Sequence, residues 1–593
     1  TKDSFNVTGL DKGTDIVPAT EAIYREVLRA QRGGFTVSEY ERARNEYLSH
    51  LEKAYNNRSS RESGSYVQEY VNNFVDNEPI PSIEWYYPQM KQFAQMIPVD
   101  QINALLKQIV TDDNRVVMIM LPDLEGYKFP TEAELESIMK AVDAEEIVAF
   151  VDNVKDEPLI PSLPQPGKVI SETANAMWDA TEWTLSNGVK VIVKPTKFKE
   201  DEIIVRAVAN GGMSTVIDKM TVPSYHGLGL VLDSYGIGSY TNSDLQKYLS
   251  GKQAGLKIGF SLYQRNVYGT TTPKDLASQM ELLYGVFTDL NVSPDEFKAT
   301  QDLYTGLLRN QEANPQFIFK RDLYKALYKT PYFQAMTAEN VQQANRDEIL
   351  NVAHSQLANA ADYTFVIVGN VDLNTLKPLV EQYVATLPAN PATATKMVKN
   401  ADQQFTLTAG SGTSEFTTKM ETPQTYVAII ESATMPYTAR ASRLATIAGQ
   451  IMSARFIETI REKEGAVYSI SASGAVSTPE GLNAVIETSF PMKPEMKDKV
   501  LDIIKNEFKA MESNVTEAEL SKVKEYLVKT FTANRELNQP WISAISNYIV
   551  TGVDIFNGNI EMVNSFTPAN VQDFMKLING QQNYRVVVLD PAE

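Results

Sequence analysis

Three stretches of this chain repeat one order of local signals, and this repeat limits the possible folds more than any other feature. In each stretch a Ser or Thr stands three residues before a Glu, the arrangement of a capping box at a helix start. The three pairs are Thr36 with Glu39, Ser293 with Glu296 and Thr516 with Glu519. A β-favouring run begins 79, 70 and 68 residues after the capping residue, at Arg115, Tyr363 and Tyr584 respectively. Three boxes at similar distances from similar strands predict one domain type used three times.

The first copy is shorter than the other two. Only 35 residues precede its capping residue, whereas more than a hundred precede the capping residue in each later copy. The segment 5–9 is similar to predicted strands at 265–269 and 485–489, so we expect the chain to enter the first copy in the middle of a domain. The chain begins with Thr1 and shows no signal-peptide pattern. We therefore expect it to be the C-terminal part of a longer protein.

Composition changes along the chain predict the domain boundaries. Four prolines lie within nine residues at Pro158, Pro161, Pro164 and Pro166, which favours extended geometry and a semi-rigid strap between domains. The predicted organisation is a partial first copy, the strap, a complete copy, a short polar link and another complete copy. Their residues are 1–122, 123–180, 181–390, 391–403 and 404–593. In each copy β runs accompany amphipathic helices, which predicts an α+β fold of repeated two-layer, mixed-sheet domains.

Two local signals in the complete copies are specific enough to predict geometry. Asn187 and Gly188 lie between two β runs, which predicts a type I′ hairpin. A long amphipathic pattern over 438–464 predicts a helix that ends at Gly465, because glycine is the preferred residue just beyond a helix C-terminus. A strand is predicted next, over 467–472.

Composition also excludes several classes of function. The net charge of −19 disfavours nucleic acid as a partner, because phosphates must be neutralised by Lys and Arg. No apolar run approaches the ~18 residues that a membrane span needs. The chain has no cysteine, which removes disulfides, thiolate nucleophiles and cysteine-type zinc sites.

The three histidines do not form a metal-binding motif. His50, His226 and His354 are far apart in the sequence, and none has a second histidine at the spacing of the family of local zinc motifs. A zinc site needs three or four ligands close together. We interpret all three as surface or internally satisfied side chains, and no cofactor is expected in this chain.

Arg461 and Tyr468 stand on either side of the predicted helix end at Gly465. From spacing alone, structural roles explain both residues. A cation in the last turn of a helix interacts favourably with the helix dipole, and a tyrosine in a strand packs well on a sheet face.

The motifs of the two complete copies resemble those of the insulinase/pitrilysin family of zinc peptidases. The similarity covers nearly the whole chain, and its sharpest element is an Arg-Glu-Lys-x-Gly-x-x-Tyr segment that begins at Arg461 and ends at Tyr468. The other matching segments are 184–192, Gly211-Gly212, 368–372 and Leu387-Pro388. The resemblance implies four homologous α+β domains in two halves that close like a clamshell around a peptide, with residues 1–122 as the end of domain two, 181–390 as domain three and 404–593 as domain four.

The family's zinc motif, His-x-x-Glu-His in domain one, does not occur in this sequence. The resemblance therefore implies that zinc binds to a missing N-terminal domain, where a zinc-bound water attacks the peptide bond. In the family, the residues that match Arg461 and Tyr468 reach the substrate from the facing half. The implied function is the non-zinc portion of a zinc metalloendopeptidase. Its partners would be a peptide or unfolded-protein substrate and the missing zinc half, in the periplasm of a bacterial cell envelope.

A second interpretation stays open. Some relatives resemble inactive subunits that only complete a chamber or hold a complex together, so this chain is alternatively a scaffold that binds a partner or a peptide. The presence of both Arg461 and Tyr468 favours the enzyme, because a scaffold needs neither residue.

Overall fold

Two mixed β-sheets, each with helices on both faces, organise the chain in this computed structural model, which describes residues 5–10, 15–111, 113–121 and 126–592. The α+β class predicted from the sequence is confirmed. In the described part of residues 5–168, the regular structure is helical, and the sheets begin at β1, which lies at the end of the predicted strap and joins the second copy's sheet.

The described residues of the first copy and of the following segment form six α-helices, which we number α1 to α6. They are Val17–Gly33, Val37–Asn56, Ser63–Asp76, Ile83–Met96, Val99–Ile109 and Glu132–Asp143. The capping box that begins α2 forms as predicted: the Thr36 side chain accepts from the Glu39 backbone N–H, and the Glu39 carboxylate accepts from the Thr36 N–H.

The second copy is built on a seven-stranded sheet with helices α7 to α15. The strands β1 to β9 are Val169–Asn175, Ala180–Leu185, Lys190–Pro195, Ile203–Asn210, Gly236–Ile237, Lys257–Phe260, Gln264–Thr271, Leu290–Asn291 and Tyr363–Gly369; β5 and β8 form a separate two-stranded sheet. The helices are Val222–His226, Gly229–Leu232, Asn242–Leu249, Leu276–Thr288, Pro294–Glu312, Pro315–Leu327, Ala338–Gln343, Arg346–Leu357 and Leu373–Tyr383.

The third copy is built on a five-stranded sheet with helices α16 to α21. The strands β10 to β14 are Gly412–Thr418, Thr425–Ala433, Ala472–Val476, Ala484–Met492 and Tyr584–Pro591. The helices are Ala439–Phe456, Lys497–Ala510, Glu517–Asn534, Asn538–Thr551, Asn559–Ser565 and Pro568–Asn579.

The two sheets share one topology over five strands. The order β3-β9-β4-β7-β6 in the second copy corresponds to β10-β14-β11-β13-β12 in the third. In both sheets the first pair is parallel and the other three pairs are antiparallel. The strands β1 and β2 extend only the second copy's sheet, so the copies share a core design and differ at one edge.

Each of the two sheet-bearing copies packs one helix on the outer face of the other copy's sheet. Helix α19 of the third copy places Ile542 and Ile545 on the outer face of the second copy's sheet, against a patch formed by Ile192, Ile204, Val366 and Val368. Helix α12 of the second copy places Phe319 and Leu327 on the third copy's sheet, against Ala428, Ile430, Val587 and Leu589. Each buried side chain of this size stabilises the arrangement by roughly 1.5–3 kcal/mol, so the exchange joins the copies firmly.

Two strands predicted in the first copy do not form. Segments 5–9 and 115–121 have no strand assignment, and Val116, Met118 and Met120 are exposed. A strand needs hydrogen-bonding neighbours, and in the described part of the chain no strand pairs with either segment. In the later copies the matching strands β9 and β14 each lie between two others.

Three further local predictions need correction. The hairpin at Gly188 forms, but its turn is not type I′. A type I′ turn needs positive φ at both central residues, and of Asn187 and Gly188 only Gly188 has a positive φ. Leu185 and Val189 are hydrogen-bonded to each other, which leaves a three-residue loop between them. The predicted helix 438–464 is α16 followed by a π-helix, Ile457–Glu462. The strand predicted over 467–472 starts only at Ala472.

The remaining two capping boxes differ. The box at Thr516 and Glu519 forms fully. Ser293 caps α11, but the Glu296 carboxylate instead accepts from the backbone N–H groups of Asn242 and Ser243. The predicted strap also has structure of its own: α6 and β1 lie within 123–180, and the proline-rich part between them is irregular.

Candidate functional site

The candidate site lies where α16 ends and the chain turns toward β12. The π-helix Ile457–Glu462 continues α16 and buries Ile460 completely. Gly465 adopts φ +59°, a left-handed conformation that glycine reaches without steric penalty. Its N–H donates to the Arg461 carbonyl at 3.1 Å, and the Ala466 N–H donates to the Ile460 carbonyl at 3.3 Å. These two hydrogen bonds satisfy carbonyl groups at the C-terminal end of the helix and fix the position at which the next segment begins.

The loop from Gly465 to Ser471 is anchored by buried side chains, and its Tyr468 side chain points into solvent. Ala466, Val467 and Ile470 are buried in the third copy's core. Tyr468 lies between these anchors and is 97% exposed. Large aromatic side chains are rarely left so exposed. The sequence allowed Tyr468 to pack within the sheet as a structural residue, and the structure excludes that role.

Arg461 is also at the surface. Its side chain is 42% exposed, and Nη2 lies 3.1 Å from Glu462 Oε1. The guanidinium therefore pairs with a neighbouring carboxylate, and among the described residues no hydrogen bond joins it to the carbonyls of its own helix end. Exposed ion pairs contribute little stability, so a ligand can compete for this guanidinium. No hydrogen bond links Arg461 to Tyr468 in the described part of the chain, although both lie on one short segment.

The charged residues around Arg461 are paired locally. Lys463 Nζ lies 2.8 Å from Glu458 Oε1, and this contact holds the pKa of Glu458 below its usual value and the pKa of Lys463 above it. Glu464 pairs with Lys499. The ion pairs flank Arg461 and leave Tyr468 outside the charged network.

A groove that sequence reasoning missed begins beside this loop. It encloses about 370 Å³ between α12 and the third copy's sheet. Its polar lining includes Tyr324, Tyr328, Ser471, Ser473 and Glu487. Because Ser471 is three residues after Tyr468, the groove and the exposed loop are neighbours in the chain. No local signal could have identified it, since α12 comes from the other copy.

The edge strand β12 offers a further means of binding. It pairs with β13 on one side, and among the described residues no strand pairs with its other side. Its residues Ala472, Ser473, Gly474 and Ala475 are small. An open strand edge can accept an extended peptide through main-chain hydrogen bonds. The exposed loop, the groove and the free edge together form a surface suited to an extended chain.

The histidines lie apart from this surface. His50 is exposed on α2 near Glu46, the Nε2 of His226 lies 3.1 Å from the Tyr332 carbonyl, and the Nε2 of His354 lies 2.7 Å from the Leu290 carbonyl. Burial lowers the pKa of His226. In the described ranges, no group of three or more histidine, aspartate or glutamate side chains is placed to hold a metal ion. The described residues therefore do not fit a zinc site.

Comparisons with known proteins show similarity between this chain and proteins described as peptidases. Residues 343–527, which include Arg461 and Tyr468, match the family model described as the Peptidase M16 inactive domain. The chain is 22% identical over 534 residues to a zinc protease PQQL-like protein of Arabidopsis thaliana, covering 88% of this chain and 53% of that protein. It is 20% identical to the probable zinc protease PqqL of Escherichia coli strain K12, covering 90% and 56%. The chain therefore spans about half the length of the curated relatives it matches.

Solved structures show the same fold. The ferredoxin protease FusC, determined as a mutant in complex with Arabidopsis ferredoxin, superposes with a TM-score of 0.67 at 17% identity, covering 97% of this chain and 63% of that one. The periplasmic protease PqqL from Escherichia coli superposes with a TM-score of 0.65 at 18% identity and the same coverage. Among the described helices, none has the length and apolarity to cross a membrane.

Proposed function

We propose that this chain is the non-zinc portion of a zinc metalloendopeptidase and that the loop carrying Tyr468 contacts the substrate. The observation that carries the proposal is the position of Tyr468, which is 97% exposed on a loop whose flanking residues are buried. A rigidly supported loop with an exposed polar aromatic residue is typical of a binding surface.

Each site residue has chemistry suited to a peptide. The Tyr468 hydroxyl can donate a hydrogen bond to the oxyanion that develops when a peptide carbonyl is attacked. The Arg461 guanidinium can donate two parallel hydrogen bonds to substrate carbonyls once it leaves Glu462. The free edge of β12 can align an extended segment beside both residues. The proposed substrate is a peptide or an unfolded protein.

The metal must come from another part of the enzyme under this proposal. The described residues supply no set of ligands for zinc, so this chain's role is to bind and orient the substrate. The partner is a zinc-carrying half of the same protease. The relatives named as zinc proteases support this assignment, and the periplasmic relative supports a periplasmic location.

A scaffold role is the second candidate. The matching family model is described as an inactive domain, which favours a chain that completes a chamber without contacting the reacting atoms. The two candidates differ in what they predict for Tyr468: a scaffold tolerates its loss, whereas the proposed enzyme does not.

The test is steady-state peptide hydrolysis by a preparation that includes the zinc-carrying half. Tyr468→Phe removes only a hydroxyl. It should lower kcat by roughly 10²–10³-fold and change KM little, because an oxyanion donor acts mainly in the transition state. Arg461→Ala should impair both kcat and KM, since it removes a positioning contact.

Two matched variants serve as controls. Tyr526→Phe removes the same hydroxyl from an exposed tyrosine on α18, and Lys463→Ala removes an exposed cation two residues from Arg461. Both should retain wild-type kinetics. If Tyr468→Phe and Arg461→Ala also retained them, the enzymatic assignment would be wrong and the scaffold role would stand.

A further inference from the structure

The groove beside β12 contains one charged side chain, the Glu487 carboxylate on β13. The rest of its lining is aliphatic, aromatic or polar without charge. Ala428 and Ile430 contribute to an apolar floor, and Tyr324 and Tyr328 reach the groove from α12. A concave site with mostly apolar walls and one charge at a defined place is typical of a pocket that selects a particular ligand group.

The fold does not depend on Glu487. Its side chain is exposed and accepts a hydrogen bond from Ser473 Oγ at 3.4 Å, and the described residues form no ion pair with it. Charged side chains often protect an open edge strand, but Glu487 lies on β13, one strand inside the edge. At the matching register position the second copy has Asn266. The sheet therefore forms with or without a carboxylate at this position.

The charge of Glu487 acts within the groove. Burial raises the pKa of Tyr328, and the charges of Tyr324 and Glu487 raise it further. A cation placed in the groove would therefore meet the Glu487 carboxylate and lie near the Tyr328 ring, whose face attracts positive charge. The electrostatics of the groove favour a cationic group.

The register of the sheet shows how far such a group must reach. Ile430, Glu487 and Ser473 lie opposite one another on β11, β13 and β12, and residues paired in this way project from the same face of a sheet. A peptide strand on the free edge of β12 would add a fourth residue to this row, beside Ser473. Neighbouring strands are about 4.8 Å apart, so that residue would lie two spacings, about 10 Å, from the Glu487 backbone. Only a long side chain that passes over the small Ser473 can meet the carboxylate.

Resting on the proposed function, we propose that this groove is a specificity site that selects a lysine or arginine side chain of the peptide strand paired with β12. Lysine and arginine combine a long apolar stem with a terminal cation. The stem lies over Ser473 and beside Tyr328, and the cation binds the Glu487 carboxylate. Successive side chains of a strand point to opposite faces, so the selected residue is flanked by neighbours that point away from the groove.

Other occupants fit the groove less well. An acidic side chain is repelled by Glu487. An aliphatic or aromatic side chain matches the floor at Ala428 and Ile430 but leaves the carboxylate without a partner when the peptide displaces water around it. A free metal ion needs several ligands, and the described residues form no such group.

The first experiment measures the binding of fluorescein-labelled decapeptides to the full chain by fluorescence anisotropy. The peptides consist of serine and threonine, and one central position holds lysine, norleucine or glutamate. Norleucine keeps an unbranched apolar stem and lacks the charge. We expect the lysine peptide to bind roughly tenfold more tightly than the norleucine peptide, because it gains a charge-assisted hydrogen bond. The glutamate peptide should bind most weakly. Equal affinity for the lysine and norleucine peptides would overturn the proposal.

Substitutions of the carboxylate provide the second measurement. Glu487→Gln keeps the size of the side chain and should reduce the lysine-to-norleucine affinity ratio to about one, while the norleucine peptide binds as before. Glu487→Lys should make the glutamate peptide the tightest binder of the three. Glu525→Gln removes a similarly exposed carboxylate from α18 and serves as the matched control, so its ratio should equal that of wild type. A lysine preference that persists in Glu487→Gln would overturn the proposal.

Backbone methylation tests whether the peptide pairs with β12. One lysine peptide carries N-methyl groups on the lysine and on the residues two positions away, and another carries them on the two adjacent residues. The N–H groups of alternate residues point to opposite edges of a strand, and only one edge of the peptide faces β12. We expect one of these two peptides to lose binding and the other to retain it. Retention of full affinity by both would overturn the proposal.

The two proposals fail in different ways. If Tyr468→Phe turns over substrate normally while Glu487→Gln loses the lysine preference, the proposed function is wrong and the specificity site stands. If turnover by Tyr468→Phe falls as expected and the lysine preference survives in Glu487→Gln, the specificity proposal alone is wrong.

Discussion

The loops that precede the edge strands of the two sheets occupy the same place in the repeat and have different surroundings. In the second copy, the loop from Ser250 to Leu256 leads into β6 and lies against α2. Ser250 Oγ donates to the Arg42 carbonyl at 3.3 Å, and Gln253 Nε2 donates to Ser49 Oγ at 3.2 Å. In the third copy, the loop from Gly465 to Ser471 leads into β12 and leaves Tyr468 exposed.

The two loops differ in the contacts that hold them in place. The second copy's loop is fixed by polar contacts with the first copy, and Lys274 adds an ion pair with Glu52 at 2.6 Å. The third copy's loop is held by its own buried anchors and by hydrogen bonds that Lys493 and Thr488 of the same copy donate to its carbonyls, so its outward side is available to a ligand. Equivalent positions of one fold therefore make domain contacts in one copy and, under the proposed function, contact the substrate in the other.

The copies also differ in the polar groups buried at one end of each sheet. Arg265 of β7 is 3% exposed and its Nη1 lies 2.9 Å from Asp362 Oδ2. At the matching register positions the third copy has Ile486 in place of the arginine, and Glu431 in place of Ala209. Glu431 is buried beside Tyr584 without an arginine partner at that position.

The largest expected effect comes from breaking the buried pair of the second copy. Arg265→Met leaves the Asp362 carboxylate buried without its cation, which should lower the free energy of local unfolding by roughly 3–5 kcal/mol. Hydrogen exchange of amides in β4 and β7 measures this change. The double variant Arg265→Met with Asp362→Asn should recover part of the loss, because a neutral amide then replaces the unpaired buried carboxylate. If hydrogen exchange in Arg265→Met were the same as in wild type, the Arg265–Asp362 ion pair would not contribute to a difference in stability between the two copies.

A smaller and pH-dependent effect is expected at Glu431. Burial, together with the charge of Glu512, raises the pKa of Glu431 from 4.5 to about 7. The folded state thus holds a proton more tightly than the unfolded state, so this group's contribution falls as pH rises from about 4.5 to about 7. The loss should amount to roughly 2–3 kcal/mol. Urea unfolding of wild type should show this decline between pH 5 and pH 8, and Glu431→Gln should abolish it. A wild-type stability that does not fall over this interval would contradict the expectation.

The smallest expected effect compares one glycine from each loop. Gly251 has φ +78°, and an added Cβ would lie 2.9 Å from Asn45 Cβ on α2. Gly465 has φ +59° and open space around the same position. Alanine at either site should cost about 1 kcal/mol for the left-handed backbone, but only Gly251→Ala should also speed hydrogen exchange in α2. Equal exchange in both variants would mean that the second copy's loop is not held by α2.

The repeat and most of its elements could be predicted because their signals are local. The capping boxes at Thr36 and Thr516 form as predicted, since a box needs only residues three apart. The strands predicted at 5–9 and 115–121 do not form, because a strand depends on partners that its own sequence does not specify. The turn at Gly188 is a similar case. The local sequence predicts that a turn forms there, but the type of turn depends on how the flanking strands pair.

The candidate site was predictable in part. The segment from Arg461 to Tyr468 was identified through its resemblance to a peptidase motif, but its spacing alone favoured a structural role. The outward position of Tyr468 depends on the buried anchors Val467 and Ile470, and the groove beside it depends on α12. Both features arise from packing between distant segments, which local sequence patterns do not encode.

The most direct test of the account is whether substrate covers the exposed loop of the third copy. The measurement is the rate of tetranitromethane nitration at Tyr468 in the assembled protease, with and without a bound, uncleaved peptide, with exposed Tyr526 of α18 as the internal reference. We predict that the peptide slows nitration of Tyr468 and leaves nitration of Tyr526 unchanged. Nitration of Tyr468 at the same rate in the presence of bound peptide would contradict the assignment of this loop as the substrate-contact surface.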